Sequence, residues 1–299
     1  MQNYWWIFAI VLSLLTSAYV YVNQFIKIKG SLLMVYRGIG TALLLLPLSF
    51  FFTPIHNLAF YGLCIAQGLV ISLGDNRILN SAKTFGAEVT SLIHPLSIAF
   101  IFLFWLLLHP SEFAEFTSHP WQMGLILACL LGVTVSLILI CRAKANRKAL
   151  WFLLVAMSCE IFIDVSNKET THLGRENLIS AIFYYTLLTS MVAGLANLAV
   201  YVHSKRSLPA IFNRRNLRFA WFFMSFAILH GMLKTYTMYL TPNPAYVAAI
   251  VHAYPVWIML ADNIYYRGHP EREYIRIQPH QLLLLLISIV GLIFLTEHE

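Results

Sequence analysis

Long runs of apolar residues, separated by short polar stretches, dominate this sequence. Ten runs approach or exceed the length of about 20 residues that a helix needs to cross the hydrocarbon core of a bilayer. They cover 4–22, 31–52, 57–76, 83–108, 121–141, 149–167, 178–203, 217–239, 244–263 and 279–296. Turn and helix-ending residues lie between them, including Pro54, Pro110 and Pro270. The pattern predicts an all-α membrane protein with ten transmembrane helices.

Composition agrees with the pattern. Apolar residues make up 59% of the 299 residues and charged residues only 11%, and the mean hydropathy is +0.71. A soluble chain cannot cover so much apolar surface, whereas a lipid-facing surface is expected to be apolar. The four cysteines occur singly, without the Cys or Cys/His spacing of a zinc site or a disulfide framework. We expect neither a metal nor a cofactor from the sequence alone.

The basic residues are distributed unevenly along the chain. Sixteen of the twenty Lys and Arg residues lie in the segments after the first, third, fifth, seventh and ninth predicted helices. These segments carry Lys27, Lys29, Arg77, Lys83, Arg142, Lys144, Arg147, Lys148, Lys205, Arg206, Arg214, Arg215, Arg218, Arg267, Arg272 and Arg276. The positive-inside rule then predicts a multi-pass protein of the inner membrane with both termini outside the cytoplasm. The same rule explains the net charge of +7 without a nucleic-acid partner.

The two halves of the sequence resemble each other. SLIHPLSIAFIFLFW at 91–105 aligns with VHAYPVWIMLADNIYY at 251–266, which places Pro95 on Pro255. WQMGLILACLLGV aligns in the same way with HQLLLLLISIVGL, and YWWIFAIVLSLL with ALWFLLVAMSCE. The halves are 1–145 and 146–299, with five predicted helices each. Because five is odd, the second repeat is inverted relative to the first, an architecture typical of secondary transporters with a substrate site at the midplane.

Three segments resemble the drug/metabolite transporter superfamily, in its ten-helix EamA-type branch. MVYRGIGTALLLLPLSF resembles the arginine-led second helix of that family. Segment 78–105 resembles its passage from helix 3 to helix 4, and AAIVHAYPVWIML followed by HQLLLLLISIVGLIFL resembles the same passage in the second repeat. The resemblance implies ten helices around a central cavity and solute transport, often export. The charge distribution departs from the family, whose termini are usually cytoplasmic.

Ionisable residues inside the predicted helices are the candidates for function, because a charge at membrane depth costs about 2.5–3.5 kcal/mol on insertion scales. Glu160 and Asp164 are four residues apart and share one helix face. They predict a cation or proton site in which at least one carboxylate changes its protonation state. The alternative for Asp164 is an interfacial position paired with a basic residue such as Lys234.

Further candidates are basic or aromatic. His230 and Lys234 share one helix face. The other three lie beside Pro95 and Pro255, the two prolines of the repeat: His94, His252 and Tyr254. A proline frees a backbone carbonyl and bends the helix, so residues beside it are expected near the midplane cavity. Helix–helix hydrogen bonding is the alternative role for them.

The last candidates lie towards the predicted cytoplasmic side. Arg37 could bind a solute, but its long side chain favours the alternative that it reaches the headgroups. Asp75 and Arg77 lie at the end of the third predicted helix, and Glu88 lies one turn into the fourth. These three could form gating ion pairs, but solvation at the membrane interface is the favoured explanation.

The sequence therefore favours a secondary transporter, and an exporter by its resemblance, for a small polar metabolite such as an amino acid or amine. Alternating access with proton coupling is the expected mechanism. The chain contains no GxxxxGK[ST] motif for an ATP-driven pump, and we do not expect an enzyme. Two alternatives remain: a membrane scaffold or sensor without transport, and a membrane-embedded enzyme that modifies lipid.

Overall fold

The computed structural model describes residues 4–25, 30–85, 93–141, 147–204, 213–265 and 278–296. All regular secondary structure within these ranges is helical. We number the helices α1 (Trp5–Phe25), α2 (30–51), α3 (Leu58–Phe85), α4 (Ile93–Leu108), α5 (Pro110–Ser118), α6 (Pro120–Cys141), α7 (Arg147–Leu173), α8 (Leu178–His203), α9 (Arg214–Leu240), α10 (Pro244–Val251), α11 (Tyr254–Tyr265) and α12 (Pro279–Thr296).

Several of these helices are long and apolar enough to cross a membrane. Seven spans meet both criteria within the described ranges: α1, α2, α3, α6, α8, α12 and the combined span of α10 and α11. An eighth is formed if α4 and α5 are taken as one span bent by 107°. The chain is a membrane protein by these criteria. Helices α7 and α9 are long enough, at 27 residues each, but both carry charged side chains along their length.

Helix α2 is not regular. It starts as an α-helix at Gly30–Val35, widens into a π-helical turn at Tyr36–Gly40, and ends in the 3₁₀ turn Leu46–Phe51. Pro47 lies in the first turn of that 3₁₀ segment, directly after α-helical residues, and it lacks the N–H that would continue the α-helical hydrogen bonds. π-Helical turns frequently mark functional positions, and this one carries an arginine, Arg37.

Three features differ from the helices that the apolar runs predict. Helix α3 continues to Phe85 and α4 begins at Ile93, whereas the runs end the third helix at 76 and begin the fourth at 83. The predicted helix 244–263 is interrupted, because α10 ends at Val251 and α11 begins at Tyr254. Helix α5 is an addition that the apolar pattern does not predict, because its sequence PSEFAEFTS is short and polar. The indole Nε1–H of Trp105 donates a hydrogen bond to Glu112 Oε2 at 2.6 Å, which holds α5 against the end of α4.

The helices pack into one bundle. Extensive contacts join α6 with α12, α3 with α7 and α8, α4 with α7, α2 with α8, and α1 with α9, α10 and α11. The largest apolar core lies among α1, α4, α6, α10 and α12, and the side chains of Trp5, Phe102, Trp105 and Tyr246 are buried there.

Helices α2 and α8 approach each other at two glycines. A Cβ added to Gly38 would lie 2.3 Å from the Cα of Gly194, and one added to Gly194 would lie 2.3 Å from the amide nitrogen of Ile39. Small residues allow membrane helices to meet at backbone distance. The π-helical turn is therefore fixed directly against α8.

Candidate functional site

A cavity of about 320 Å³ lies at the centre of the bundle. Side chains from α1, α2, α3, α4, α7, α8, α9, α10 and α11, and from the break between α10 and α11, line it. The volume suits a small solute or a few water molecules. Among the described residues, the ionisable ones that line it, other than tyrosines, are Arg37, Asp75, His94, Glu160, His230, Lys234 and His252.

Glu160 is at the centre of a three-residue cluster. Its Oε1 atom lies 3.7 Å from Nδ1 of His94 and 3.5 Å from Nε2 of His252. The three side chains come from α7, from the start of α4 and from the break after α10. All three are mostly buried, with side-chain exposures of 14% for Glu160, 18% for His94 and 4% for His252.

The interruption between α10 and α11 positions His252. The ring Nδ1–H of His252 donates to the backbone carbonyl of His94 at 3.1 Å, since a carbonyl can only accept. The hydroxyl of Ser13 on α1 donates to the carbonyl of Val251 at 3.2 Å, and so satisfies an acceptor at the end of α10. The break is therefore supported by two other helices.

The aromatic ring of Tyr254 completes this side of the cavity. Its ring centroid lies 5.6 Å from that of His94 in an edge-to-face arrangement, and the rings of His94 and His252 are 4.9 Å apart. Pro255 is the second residue of α11, directly after the break. Pro95 is the third residue of α4, and the chain directly before Ile93 lies outside the described residues.

Lys234 and Asp164 form an ion pair between α9 and α7. Lys234 Nζ lies 2.5 Å from Asp164 Oδ1, and the side-chain exposures are 15% and 1%. Lys234 lines the cavity, whereas Asp164 lies behind it. Asp164 is thus the buried counter-ion of Lys234. The pairing agrees with the alternative derived from the sequence, but Asp164 is not at an exposed interface.

A second ion pair joins α2 and α3. Arg37 Nη1 lies 3.3 Å from Asp75 Oδ2, and both side chains line the cavity. The guanidinium also lies 6.0 Å from the ring centroid of Tyr19, at the limit of a cation–π contact. Arg37 therefore points into the cavity and does not extend to the headgroups.

His230 lies on the aromatic side of the cavity. Its Nε2 is 3.2 Å from the hydroxyl of Thr16, and its ring stacks on Phe226 with a centroid distance of 5.4 Å. Phe226 in turn stacks on Tyr19 at 4.5 Å. The stack joins α9 to α1 beside the Arg37–Asp75 pair.

The structure places seven of the eight site residues predicted from the sequence on one cavity: Arg37, His94, Glu160, His230, Lys234, His252 and Tyr254. The eighth, Asp164, contacts that cavity through Lys234.

Asp75 is the cavity residue that sequence reasoning assigned to the interface instead. It lies near the end of the apolar run 57–76, where solvation is a sufficient explanation. The signal that would have identified it is an opposite charge, Arg37, at a comparable depth in the neighbouring helix. Glu88, the other candidate for a gating pair, lies outside the described residues.

A larger cavity of about 830 Å³ lies at one end of the bundle. It is bounded by the start of α1, the ends of α7, α9 and α12, and α5; Trp5, Glu112, Lys168 and Thr296 are among its lining residues. The ammonium of Lys168 donates to the carbonyls of Met238 at 2.8 Å, Tyr239 at 3.4 Å, and Thr241. It thus stabilises the carbonyl end of α9.

The chain matches no protein-family model, and no curated protein matches it.

Proposed function

We propose that this chain is a secondary transporter of a small solute that carries a cationic group, such as an amine or an amino acid. One observation carries the proposal: seven ionisable side chains from five different helices and a helix break converge on a single central cavity of about 320 Å³. Charged side chains inside a membrane protein are costly and typically mark a solute or ion pathway. A structural scaffold has no need for this arrangement.

The charge balance of the cavity favours a cation. Arg37 is paired with Asp75, and Lys234 is paired with Asp164. Glu160 contacts imidazoles, and within the described part of the chain it has no Lys or Arg within salt-bridge distance. With neutral histidines, these groups carry one negative charge more than they carry positive charge. A protonated amine offsets that excess, and the two ion pairs supply polar partners for a carboxylate or hydroxyl of the solute.

Proton coupling is assigned to the cluster around Glu160. A carboxylate beside two imidazoles provides several atoms that can hold a proton. In this scheme a proton and the solute cation bind in alternation near Glu160. Export follows from the resemblance to drug/metabolite transporters, and the proton gradient across an inner membrane supplies the driving force.

We also propose ten transmembrane helices in two inverted repeats, 1–145 and 146–299. The helix contacts support this topology. In this topology α1 corresponds to α7, α2 to α8, α3 to α9, α4 to the α10–α11 pair, and α6 to α12. Several helix contacts then have counterparts. Contact α3–α7 corresponds to α1–α9, α4–α7 to α1–α10, and α3–α8 to α2–α9. Contacts α2–α8, α4–α10 and α6–α12 correspond to themselves, as contacts on a two-fold axis do.

In this topology α7 and α9 are spans that the apolar criterion misses. Each is about 40 Å long at 1.5 Å per residue, which exceeds the hydrocarbon core of about 30 Å. Their midplane charges, Glu160, Asp164 and Lys234, lie in the bundle interior and do not face lipid. Alternating access would then move the first five spans against the last five about the central cavity.

The test is transport by the purified protein in liposomes. A panel of amines and amino acids is applied on a solid-supported membrane, with and without a proton gradient, and currents are recorded. We expect a current for a zwitterionic solute in the wild type, and gradient-driven uptake without a net current for a monovalent amine, because exchange of one proton for one monovalent cation moves no net charge. Glu160→Gln is expected to abolish gradient-driven uptake while solute counterflow persists. Glu176→Gln, which changes an exposed glutamate in the turn between α7 and α8, is the matched control.

The outcomes separate the roles of Glu160. Loss of both uptake and counterflow in Glu160→Gln, with normal expression, would show that Glu160 binds the solute itself and does not couple protons. If neither current nor counterflow is detected for any compound, the transport proposal fails for this solute class. The non-transporting scaffold or sensor then becomes the better account.

A further inference from the structure

We propose that His94, Glu160 and His252 form a binding site for one divalent transition-metal ion of the Zn²⁺ or Co²⁺ type. The inference goes beyond transport, because equilibrium binding of a metal to the purified chain requires no solute flux. The metal would occupy the atoms to which proton coupling is assigned, so the metal-bound state and the proton-bound state exclude each other. Each residue offers one ligand atom, Nδ1 of His94, Oε1 of Glu160 and Nε2 of His252, and these atoms lie within 4.8 Å of one another.

The distances between these atoms match a metal site better than a hydrogen-bonded cluster. Charge-assisted N–H···O hydrogen bonds are about 2.7–2.9 Å long, whereas Oε1 of Glu160 lies 3.7 Å and 3.5 Å from the two ring nitrogens. Ligands about 2.0–2.1 Å from a tetrahedral Zn²⁺ are separated by about 3.3–3.4 Å. Two of the three separations are therefore close to the edges of such a tetrahedron.

The hydrogen bond to the His94 carbonyl sets the tautomer of neutral His252. Since Nδ1 carries the proton that is donated to this carbonyl, Nε2 has a free lone pair on the side of Glu160. A lone pair and a carboxylate oxygen repel each other unless a metal cation or a shared proton lies between them. A ligating histidine that donates its other N–H to a carbonyl is a common arrangement around protein-bound metals.

His94 presents its nitrogen in a comparable way. Its Nδ1 atom is buried and makes no hydrogen bond within the described part of the chain. A buried polar atom without a partner is uncommon, because it loses its hydration without compensation. Coordination of a metal would satisfy Nδ1 of His94, Nε2 of His252 and the charge of Glu160 together.

The ligand types select the class of metal. Two imidazoles and one carboxylate suit Zn²⁺, Co²⁺ or Ni²⁺, whereas Ca²⁺ and Mg²⁺ prefer oxygen ligands. All three residues line the central cavity, so a fourth ligand is available from water or solute there. No spaced sequence motif predicts this site, because its ligands come from α4, from α7 and from the break between α10 and α11.

Zinc binding is measured by equilibrium dialysis of the purified chain, in detergent and without a histidine tag. We expect one Zn²⁺ per chain in the wild type, and at least a tenfold loss of affinity in His94→Gln, Glu160→Gln and His252→Gln, about the loss expected when a metal site is disturbed. His109 and Glu169 provide the matched controls, because they form a separate His–Glu contact of 3.2 Å away from the central cavity. His109→Gln and Glu169→Gln are expected to keep the wild-type affinity.

Visible absorption of the Co²⁺-loaded protein supplies a second, independent readout. Tetrahedral Co²⁺ with nitrogen and oxygen ligands gives intense bands, which we expect in the wild type and in His109→Gln. Absence of these bands together with absence of Zn²⁺ binding overturns the site. If His109→Gln and Glu169→Gln lose as much Zn²⁺ affinity as the three ligand variants, the metal does not bind at His94, Glu160 and His252. If solute currents persist without metal binding, only this inference fails; if Zn²⁺ binds but no solute moves, the transport proposal fails instead.

Discussion

The carbonyl oxygen of His94 accepts a hydrogen bond from Nδ1 of His252 at 3.1 Å, across 158 residues of sequence. The bond joins the start of α4 to the break between α10 and α11, the two places in the repeat where a proline follows within three residues. It also fixes the ring of His252 beside Glu160. One contact therefore connects the two sequence halves and positions a site residue.

The Lys234–Asp164 pair is expected to behave as a buried ion pair. Removing one partner leaves an uncompensated charge in the interior, and such changes cost about 3–5 kcal/mol. Asp164 has 1% side-chain exposure, so Lys234→Met should lower thermal stability in detergent strongly, because it leaves Asp164 without its cation. The double variant Asp164→Asn with Lys234→Met should be markedly more stable than Lys234→Met alone. Additive losses in the double variant would contradict the pairing.

The glycine contact between α2 and α8 should tolerate no side chain. An added Cβ at Gly38 or Gly194 would lie 2.3 Å from backbone atoms of the other helix, so Gly38→Ala and Gly194→Ala force the helices apart. Overpacking of this kind costs about 1–3 kcal/mol or more, and we expect a lower midpoint of thermal unfolding.

Gly62 is the control for this pair. An added Cβ there meets nothing within 4 Å, and alanine favours a helix by about 0.8–1.0 kcal/mol over glycine. Gly62→Ala should therefore be neutral or slightly stabilising. A similar loss of stability in all three variants would mean that the effect is not due to the close approach.

Lys168 should contribute to stability through the end of α9. The residue is only 3% exposed, and its ammonium donates to three carbonyls there. Lys168→Met leaves these carbonyls without their donor, which costs about 1–3 kcal/mol. We expect a clear fall in the midpoint of thermal unfolding, measured in detergent.

Arg175→Met is the control for Lys168→Met. Arg175 is an exposed residue of the turn Arg175–Asn177 between α7 and α8, so its replacement removes a cation without changing the end of α9. The unfolding midpoint of this variant should stay close to that of the wild type. Equal midpoints for the two variants would argue against the capping role of Lys168.

The orientation of the chain is tested with single cysteines. The four native cysteines are free, so they are first replaced by serine, and Ser118→Cys or Ser204→Cys is then introduced. Both positions are exposed, Ser118 at the end of α5 and Ser204 directly after α8. With non-cytoplasmic termini, a membrane-impermeant maleimide should label Ser118→Cys in intact spheroplasts.

Ser204→Cys should react with this reagent only after the membrane is opened, because it precedes a basic segment of the sequence. The reversed labelling pattern would contradict the orientation derived from the positive-inside rule and would place both termini in the cytoplasm. Labelling of both positions after lysis confirms that each thiol is accessible and serves as the internal control.

The apolar runs predict most helix positions well, because the length of a membrane span constrains them strongly. The apolar runs alone do not predict the break at His252, since 244–263 is largely apolar. The bend expected at Pro255 lies within three residues of it, and contacts from α1 and α4 support the break. The apolar runs also miss the π-helical turn in α2. The turn carries Arg37, and from the sequence alone its long side chain could either enter the cavity or reach the headgroups. Only the position of Asp75 on α3 distinguishes them.

The cluster around Glu160 is predicted in part. The alignment of Pro95 with Pro255 places His94 and Tyr254 at corresponding positions, and the cost of a buried charge identifies Glu160. The distances among their atoms could not be predicted, because they depend on how three separate segments pack. The contacts of Lys168 could not be predicted from the sequence either, since a basic residue near a helix end is normally solvated.

The close approach of Gly38 and Gly194 limits how the bundle can change shape. Two backbones that already touch cannot move closer, and separating them would expose the π-helical turn beside the cavity. Rotation about the contact changes the spacing of distant helix ends while leaving the glycines in place. The pair is thus suited to act as a pivot point for such a rotation. Arg37, which lies beside the pivot, would then move least, and the two ends of the cavity would move most.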